Sequence, residues 1–456
     1  MGISESVNTN HEDLIGQSDI LNGNSSSSNG HGTSVSLFAG GKTDNNVGIS
    51  SIGFNNFIRG KSGGASAVIQ LAQNGVKVIN MSWGFCTLSQ NATQIYEAAM
   101  NEAYSNGAVL VAAAGNGAFS CNLGAEAYHY PAANDKVIAV TVVGHLYELN
   151  DSNPLHNNQK DRFEAVGNVY PFTTYNDSVD VAAPGRHVLT QVVGQSTGNY
   201  GYSGGTSYAA PIVTGTIGLM FDVNYCLTQK EVETIIKLSS RKVDNLTVNQ
   251  AFYGKIGSGV LDAYEAVKMA KDMADDFGTV EVKDRVLYRP WFYKLVTAPY
   301  KIKMTNNDVT GGSKLKFKAR NNIEILSGDY YPESGGYIDL SIDETLALDC
   351  PPPPINSANT SRKVKTKINE SQGKNLVGNY GLSIFPNPTT GILNITNKED
   401  LNAISISDIT GKTVYSVKEV NAKELKINMS KFNSGMYFVE IKMKTGAIHT
   451  QKMIKK

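Results

Sequence analysis

At 456 residues, with 44 glycines and only 18% charged residues, the chain can hold two or three domains and has the balance of a turn-rich extracellular protein. Lys plus Arg and Asp plus Glu both number 41, so no net field favours nucleic acid or an acidic membrane surface, and no apolar run reaches transmembrane length. Four cysteines are few for a disulfide scaffold and compatible with stapling in an oxidising compartment.

The first polar stretch, rich in Asn and Ser, holds Glu5, Glu12 and Asp13 and reads as solvated loop. Residues 64–74 and 93–106 carry the apolar spacing of amphipathic helices and lie between the apolar runs 76–81 and 108–113. That alternation of strand and helix predicts a parallel sheet covered by helices. Residues 229–238 and 261–272 read as closing helices, and Asp275-Asp276 marks a domain edge. Residues 277–349 are strand-like, with Leu315 to Ala319 alternating and Gly328 and Gly335-Gly336 as turns, which suggests a small β module. The Pro-, Ser-, Lys- and Asn-rich stretch from Pro351 to about Gly378 is a linker. Residues 382–456 form an all-β unit, with Ile404 to Asp408 alternating cleanly and a Lys444-Thr445-Gly446 turn, and read as a β-sandwich.

Two motifs carry chemistry. Gly205-Thr206-Ser207-Tyr208-Ala209-Ala210-Pro211 sets Ser207 behind a glycine that allows a tight, exposing turn. The apolar run from Ala209 to Met220 puts it at the start of a buried helix, whose N-terminus favours a developing negative charge. A serine hydroxyl needs a base within reach and donors for the oxyanion; His31-Gly32-Thr33 offers the base. Asn116 ends the run Val109 to Gly115, and an amide at a strand end can donate to an oxyanion. Each motif alone has a plainer reading, as a helix cap, a scattered histidine or an Asn-Gly turn.

Together and in this order they resemble the subtilisin-like serine proteases, or subtilases. The likeness runs from about Gly2 to Ala270 and includes Asn10-His11-Glu12-Asp13-Leu14, Val78-Ile79-Asn80-Met81-Ser82-Trp83-Gly84, Asp180-Val181-Ala182-Ala183-Pro184-Gly185 and Gly257-Ser258-Gly259-Val260-Leu261-Asp262-Ala263. The resemblance implies Ser207 as nucleophile, His31 as general base and then acid, and the Asn116 side chain with the Ser207 N–H as oxyanion hole. It also implies that Ser82, Trp83 and Gly84, with Ala113, Ala114 and Gly115, flank an extended peptide substrate. The family's triad Asp ends a first strand in an Asp-X-Gly motif, and it is expected here immediately ahead of Met1, together with a propeptide and a signal peptide, on a truncated start. Glu5, Glu12 and Asp13 are the carboxylates at hand to replace it, with Asp13 in a block that the family uses structurally. Ser34 and Leu37 stand where the family often has a second His and a small residue, and Leu37 is expected to perturb helix packing.

Cys86 and Cys121 follow neighbouring parallel strands at the same end, so a Cys86–Cys121 bridge is expected; Cys226 reads as buried, and Cys350 has no assignable partner. No cofactor is implied, and no loop signature identifies a calcium site. The pocket that sets cleavage specificity is expected to have its floor within 141–180. The Lys318 to Ile323 and Ser341 to Asp343 phrases resemble β stalk repeats. The Pro386-Asn387-Pro388 opening, the Asp408-Ile409-Thr410-Gly411-Lys412 turn, the Ser434-Gly435-Met436-Tyr437 block and the basic end resemble the C-terminal sorting domain of type IX secretion cargo.

The expected organisation is an α/β peptidase domain over 1–274, lacking its first strand and catalytic Asp, a stalk-like β module over 275–350, a linker over 351–381 and a sorting domain over 382–456. Two function classes follow. The first is a secreted serine endopeptidase acting through an acyl-enzyme, inactive as written if the Asp lies upstream; the second is a non-catalytic surface relative that holds peptides without cutting them. The partners implied are a protein or peptide substrate and the type IX machinery of a Gram-negative bacterium, with release to the medium or the cell surface.

Overall fold

A computed structural model describes the chain except residues 55, 87–89, 118–123, 144–172, 245, 347–382, 387–388, 409–411, 445–447 and 456. It separates into two compact units, 1–353 and 354–456.

The first unit is built on a seven-stranded parallel sheet. Its elements in chain order are β1 (Gly2–Ile3), β2 (Ser18–Ile20), α1 (His31–Gly40), β3 (Ile58–Gly60), α2 (Gly64–Gln73), β4 (Val78–Met81), α3 (Gln90–Ser105), β5 (Val109–Ala113), β6 (Val137–Val143) and β7 (Val181–Pro184). There follow the hairpin β8 (Val188–Gln191) and β9 (Tyr200–Ser203), then α4 (Thr206–Val223), α5 (Gln229–Ser239) and α6 (Ala263–Ala274). The sheet order is β2-β3-β1-β4-β5-β6-β7. Strands β4, β5 and β6 are buried at every position, as fits a sheet covered on both faces. The first strand, expected ahead of Met1, lies inside the chain: Gly2 pairs with Arg59 on one side and with Ile79 on the other.

The order reverses between β1 and β4, and a crevice at such a reversal, beyond the carboxyl ends of the strands, is where open α/β sheets place ligands. Ser4, Ser82 and Ala114 directly follow β1, β4 and β5 at that end of the sheet.

Helix α4 starts at the same end and runs buried beneath the sheet. Its close approach to α1 is made by a glycine: a Cβ on Gly215 would stand 2.7 Å from the Ala39 carbonyl oxygen. Leu37, expected to disturb this packing, faces away from that contact and is fully buried with Ile3, Val7, Leu14 and Ile58. Ser34 donates to the Gln191 carbonyl at 2.8 Å.

The module after α6 is a parallel β-solenoid. Strands β10 (Thr279–Lys283), β13 (Lys301–Thr305) and β16 (Asn322–Ile325) stack as one sheet; β11 (Val286–Leu287) and β14 (Asp308–Val309) form a second; β12 (Phe292–Leu295), β15 (Lys314–Ala319) and β17 (Tyr337–Ile342) form a third. All pair in parallel, with Thr279 opposite Lys301 and Lys301 opposite Asn322, so each coil takes about 22 residues. Val280 and Ile302, Leu287 and Val309, and Leu295 and Phe317 fill the interior, each at most 5% exposed.

The solenoid shares its core with the peptidase sheet rather than standing off as a stalk, since one apolar cluster runs from Val109 through Ile235 and Met269 to Phe317. Glu231, fully buried at the capping box of α5, accepts from the Val296 and Thr297 amides at 2.8 and 2.6 Å. Lys237 meets Asp180 at 2.8 Å and Glu233 at 2.6 Å, and stands 3.8 Å over the Trp291 ring. Burial opposes the charge on Lys237, and the two carboxylates outweigh it and hold its pKa above the usual lysine value.

The second unit is antiparallel. Strands β18 (Ser383–Phe385), β19 (Ile392–Asp408), β20 (Thr413–Asn428), β21 (Gly435–Met443) and β22 (Ile448–Lys455) pair in the order β18-β19-β21-β22, with β20 also on β19. Register shifts between Thr396 and Ala403 bend the long β19, and its two halves enclose a core of Leu393, Ile395, Ile404, Ile406, Val439 and Ile441. Among the described residues no helix is long and apolar enough to cross a membrane.

Candidate active site

Three loops and two helix starts converge at the carboxyl end of the sheet. Gly205, at φ +135°, turns the chain into α4, and places Ser207 in the helix's first turn, where backbone N–H groups have no intrahelical partner. Ser207 Oγ donates to the Ser82 carbonyl at 3.2 Å, and Ser82 Oγ donates to the Ser207 carbonyl at 2.8 Å. This reciprocal pair ties the residue after β4 to the start of α4. His31 opens α1, and its ring lies 6.0 Å from that of Tyr208, the neighbour of Ser207.

Asn116 follows β5 by way of Ala114 and Gly115. Its Oδ1 accepts from both the amide and the hydroxyl of Thr206 at 2.9 Å. With its oxygen held on the helix start, the amide keeps its NH₂ as a donor. Gly115 adopts φ +101°, which glycine takes without strain. Ala114 donates to the Val140 carbonyl at 2.9 Å, so the segment after β5 keeps its pairing with β6 for one more residue. Ser82, Trp83 and Gly84 extend from β4 alongside it, and Phe85 exchanges two backbone hydrogen bonds of 3.0 Å with Tyr130.

The carboxylate partner of His31 is within the chain. Glu5, two residues beyond β1, brings Oε2 to 2.7 Å from His31 Nδ1. The other two carboxylates are engaged elsewhere: Tyr200 donates to Glu12 at 2.6 Å, while Asp13 accepts from Asn45 Nδ2 and the Ile49 amide at 2.8 and 2.9 Å. Ser4, directly after β1, is buried; its hydroxyl donates to the Asn80 carbonyl and accepts from Trp83 Nε1, both at 2.8 Å. So Ser4 fills the strand end structurally, and the longer Glu5 side chain reaches the imidazole. Burial lowers the pKa of His31, but the hydrogen bond and charge of Glu5 prevail and leave it above the ordinary value of 6.5. Glu5 is one of the three carboxylates that the sequence offers as a replacement, beside the expectation of an aspartate ahead of Met1, and no motif in the sequence singles it out from Glu12 and Asp13. The signal that could have found it is a carboxylate one residue past the end of the strand Gly2-Ile3.

Cys86 is disulfide-bonded, as is Cys226, which the sequence reading took as simply buried; the expected partner Cys121 and also Cys350 lie outside the described residues. Among the described residues no group of three or more His, Cys, Asp or Glu could hold a metal ion.

Residues 383–456 match the secretion system C-terminal sorting domain. A thermophilic serine proteinase from a Bacillus strain is 32% identical over 241 residues, covering 50% of this chain and 51% of its own length, so the chain spans about half of that relative. Thermitase from Thermoactinomyces vulgaris is 29% identical over 283 residues, covering 58% of this chain and 87% of its own. Among solved structures, the epidermin leader peptide processing serine protease of Staphylococcus aureus has a TM-score of 0.46 at 21% identity, over 59% of this chain and 75% of that one. The Subtilase family matches residues 4–255, more than half of the sequence, and with the parallel sheet described above this establishes that the chain belongs to the subtilase family.

Proposed function

We propose that the chain is a serine endopeptidase in which Ser207 is the nucleophile, His31 the general base and Glu5 the carboxylate that orients it. The observation that carries this reading is the 2.7 Å contact between Glu5 Oε2 and His31 Nδ1, which gives the histidine a fixed tautomer with Nε2 as the acceptor. Ser207 Oγ forms a bond to the substrate carbonyl carbon as its proton passes to Nε2. The oxyanion is received by the Asn116 side chain and the Ser207 N–H. Collapse expels the amine, which takes the proton from His31, and water then hydrolyses the acyl-serine by the same route. Ser82, Trp83 and Gly84 on one side, with Ala113, Ala114 and Gly115 on the other, pair with the extended substrate through backbone hydrogen bonds.

A fluorophosphonate probe tests the reading. The purified chain is expected to hydrolyse an unfolded protein substrate and to carry the probe on the peptide that contains Ser207. Neither hydrolysis nor labelling in folded material would support instead the non-catalytic, peptide-holding relative.

Export is a second part of the proposal and rests on the sorting-domain match alone. Residues 383–456 direct the protein through the type IX machinery to the surface or medium of a Gram-negative cell. In such a host, removing this segment is expected to retain the protein in the periplasm with its peptidase activity intact. Unchanged secretion would make the antiparallel unit a binding or structural module.

A further inference from the structure

Thr206 holds the side chain of Asn116, and a different part of the chain holds its backbone. The amide of Gly117, which shares a peptide unit with the Asn116 carbonyl, donates to Thr174 Oγ1 at 3.0 Å. Both Gly117 and Thr174 are buried. Of the stretch 141–180, expected to hold a pocket floor, the structure describes 141–143 and 173–180, and Thr174 lies in the second part. Its carbonyl accepts from the Thr141 hydroxyl. Tyr175 donates to the Ala125 carbonyl at 3.0 Å, and Asn176 Nδ2 donates to that of Ala127 at 3.1 Å.

The far end of the same segment is held by the solenoid. Arg289, between β11 and β12, donates from Nη1 to the Val179 carbonyl at 3.1 Å and from Nη2 to the Asp177 carbonyl. The guanidinium is buried and stands 4.0 Å over the Trp291 ring, whose centroid lies 3.8 Å from Lys237 Nζ. Burial lowers the pKa of Arg289. A buried cation is a costly way to close an interface that apolar side chains could fill; what it adds is two directional bonds to one segment of backbone. An oxyanion donor acts only when it is already in place where the charge develops, so the fixing of the backbone at Asn116 bears on the chemistry.

We propose that Arg289 and Thr174 are positioning residues for the oxyanion site. The solenoid's guanidinium fixes the segment 173–180, Thr174 in that segment fixes the Asn116–Gly117 peptide unit, and the solenoid thereby holds the peptidase site in its working geometry. This deepens the endopeptidase reading and rests on it.

The test is steady-state hydrolysis of a peptide anilide by the full chain. Thr174→Val keeps the shape of the side chain and removes the acceptor, and Arg289→Met removes both bonds to the segment. Each is expected to lower kcat by about 10-fold or more with KM unchanged. Thr174→Ser, which keeps an acceptor oxygen, is expected to retain the turnover of the unchanged protein. In an Asn116→Ala background neither Thr174→Val nor Arg289→Met is expected to cost anything further, because the donor they position is gone. Unchanged kcat in both single variants, losses confined to KM, or losses that persist undiminished beside Asn116→Ala overturn this inference alone. No hydrolysis by the unchanged protein overturns the endopeptidase reading and this one with it. Should Arg289→Met fail to fold by circular dichroism, Arg289→Lys, which keeps the charge and loses the paired geometry, is measured in its place and decides by the same cycle.

Discussion

Glu5→Gln is expected to lower kcat by roughly 10⁴ and to move the acid limb of the pH profile to lower pH. The two effects have one source. Glu5 Oε2 accepts the Nδ1 proton of His31 at 2.7 Å, which leaves Nε2 to take the proton of the nucleophile. A glutamine at the same place can donate its NH₂ to Nδ1 instead, which selects the wrong tautomer. The pKa of His31 is the balance of burial, which lowers it, and Glu5, which raises it more. Without the carboxylate, burial alone remains and the pKa falls. Since the base must be neutral to act, activity then persists to lower pH while its plateau is reduced. The sign for stability is the opposite of the usual carboxylate case. A histidine whose folded pKa is raised stabilises the fold fully below the unfolded value of about 6.5, and that contribution is lost as pH rises through the folded value. Unchanged turnover with an unmoved acid limb would remove Glu5 from the mechanism. A fall in turnover without movement of the limb would show a structural role only.

Why the sequence offers Glu5 only as one of three carboxylates is physical. Strand β1 has two residues, too short to show the alternation that identifies a strand, so nothing in the pattern marks its end. In the family the carboxylate belongs to an aspartate at a strand end; here Ser4 fills the strand end, bonded to Asn80 and Trp83, and the acid is displaced by one residue with one more methylene of reach. By contrast, β4 and β5 are continuous apolar runs with glycine-containing segments beyond them, and α4 begins at a glycine that only a sharp turn requires, so their places were legible. The solenoid was half legible. Its alternating strands appear in Leu315 to Ala319, but the parallel stacking depends on a period near 22 residues that shows only when Val280, Ile302 and Ile323 are aligned with one another. Arg289 gives no local sign at all, because its meaning lies in contacts with the Asp177 and Val179 carbonyls of a separate segment of the fold.

Ser207→Ala and His31→Ala are each expected to lower kcat by about 10⁶, and the double variant is expected to be no slower than either single one. The arrangement explains the non-additivity. Ser207 Oγ without a base keeps its proton, and His31 without Oγ has no proton to take, so removing either one removes the same step. What survives in all three variants is the site's ability to hold a peptide beside Asn116, whose Oδ1 is tied to Thr206 by two hydrogen bonds of 2.9 Å that neither substitution touches. Asn116→Ala, by comparison, removes one oxyanion donor and leaves proton transfer in place, so a loss of only about 10²–10³ in kcat is expected. Single-turnover hydrolysis of an activated ester distinguishes the cases, because acyl-enzyme accumulates in Asn116→Ala and in neither of the others. Losses from Ser207→Ala and His31→Ala that multiply in the double variant would mean that the two residues act in separate steps, and substantial hydrolysis by Ser207→Ala would assign the nucleophile elsewhere. Their shared dependence on Glu5 then follows from geometry: among the described residues the carboxylate's hydrogen bond is to the histidine, so in a His31→Ala background Glu5→Gln has nothing left to orient and should cost nothing further.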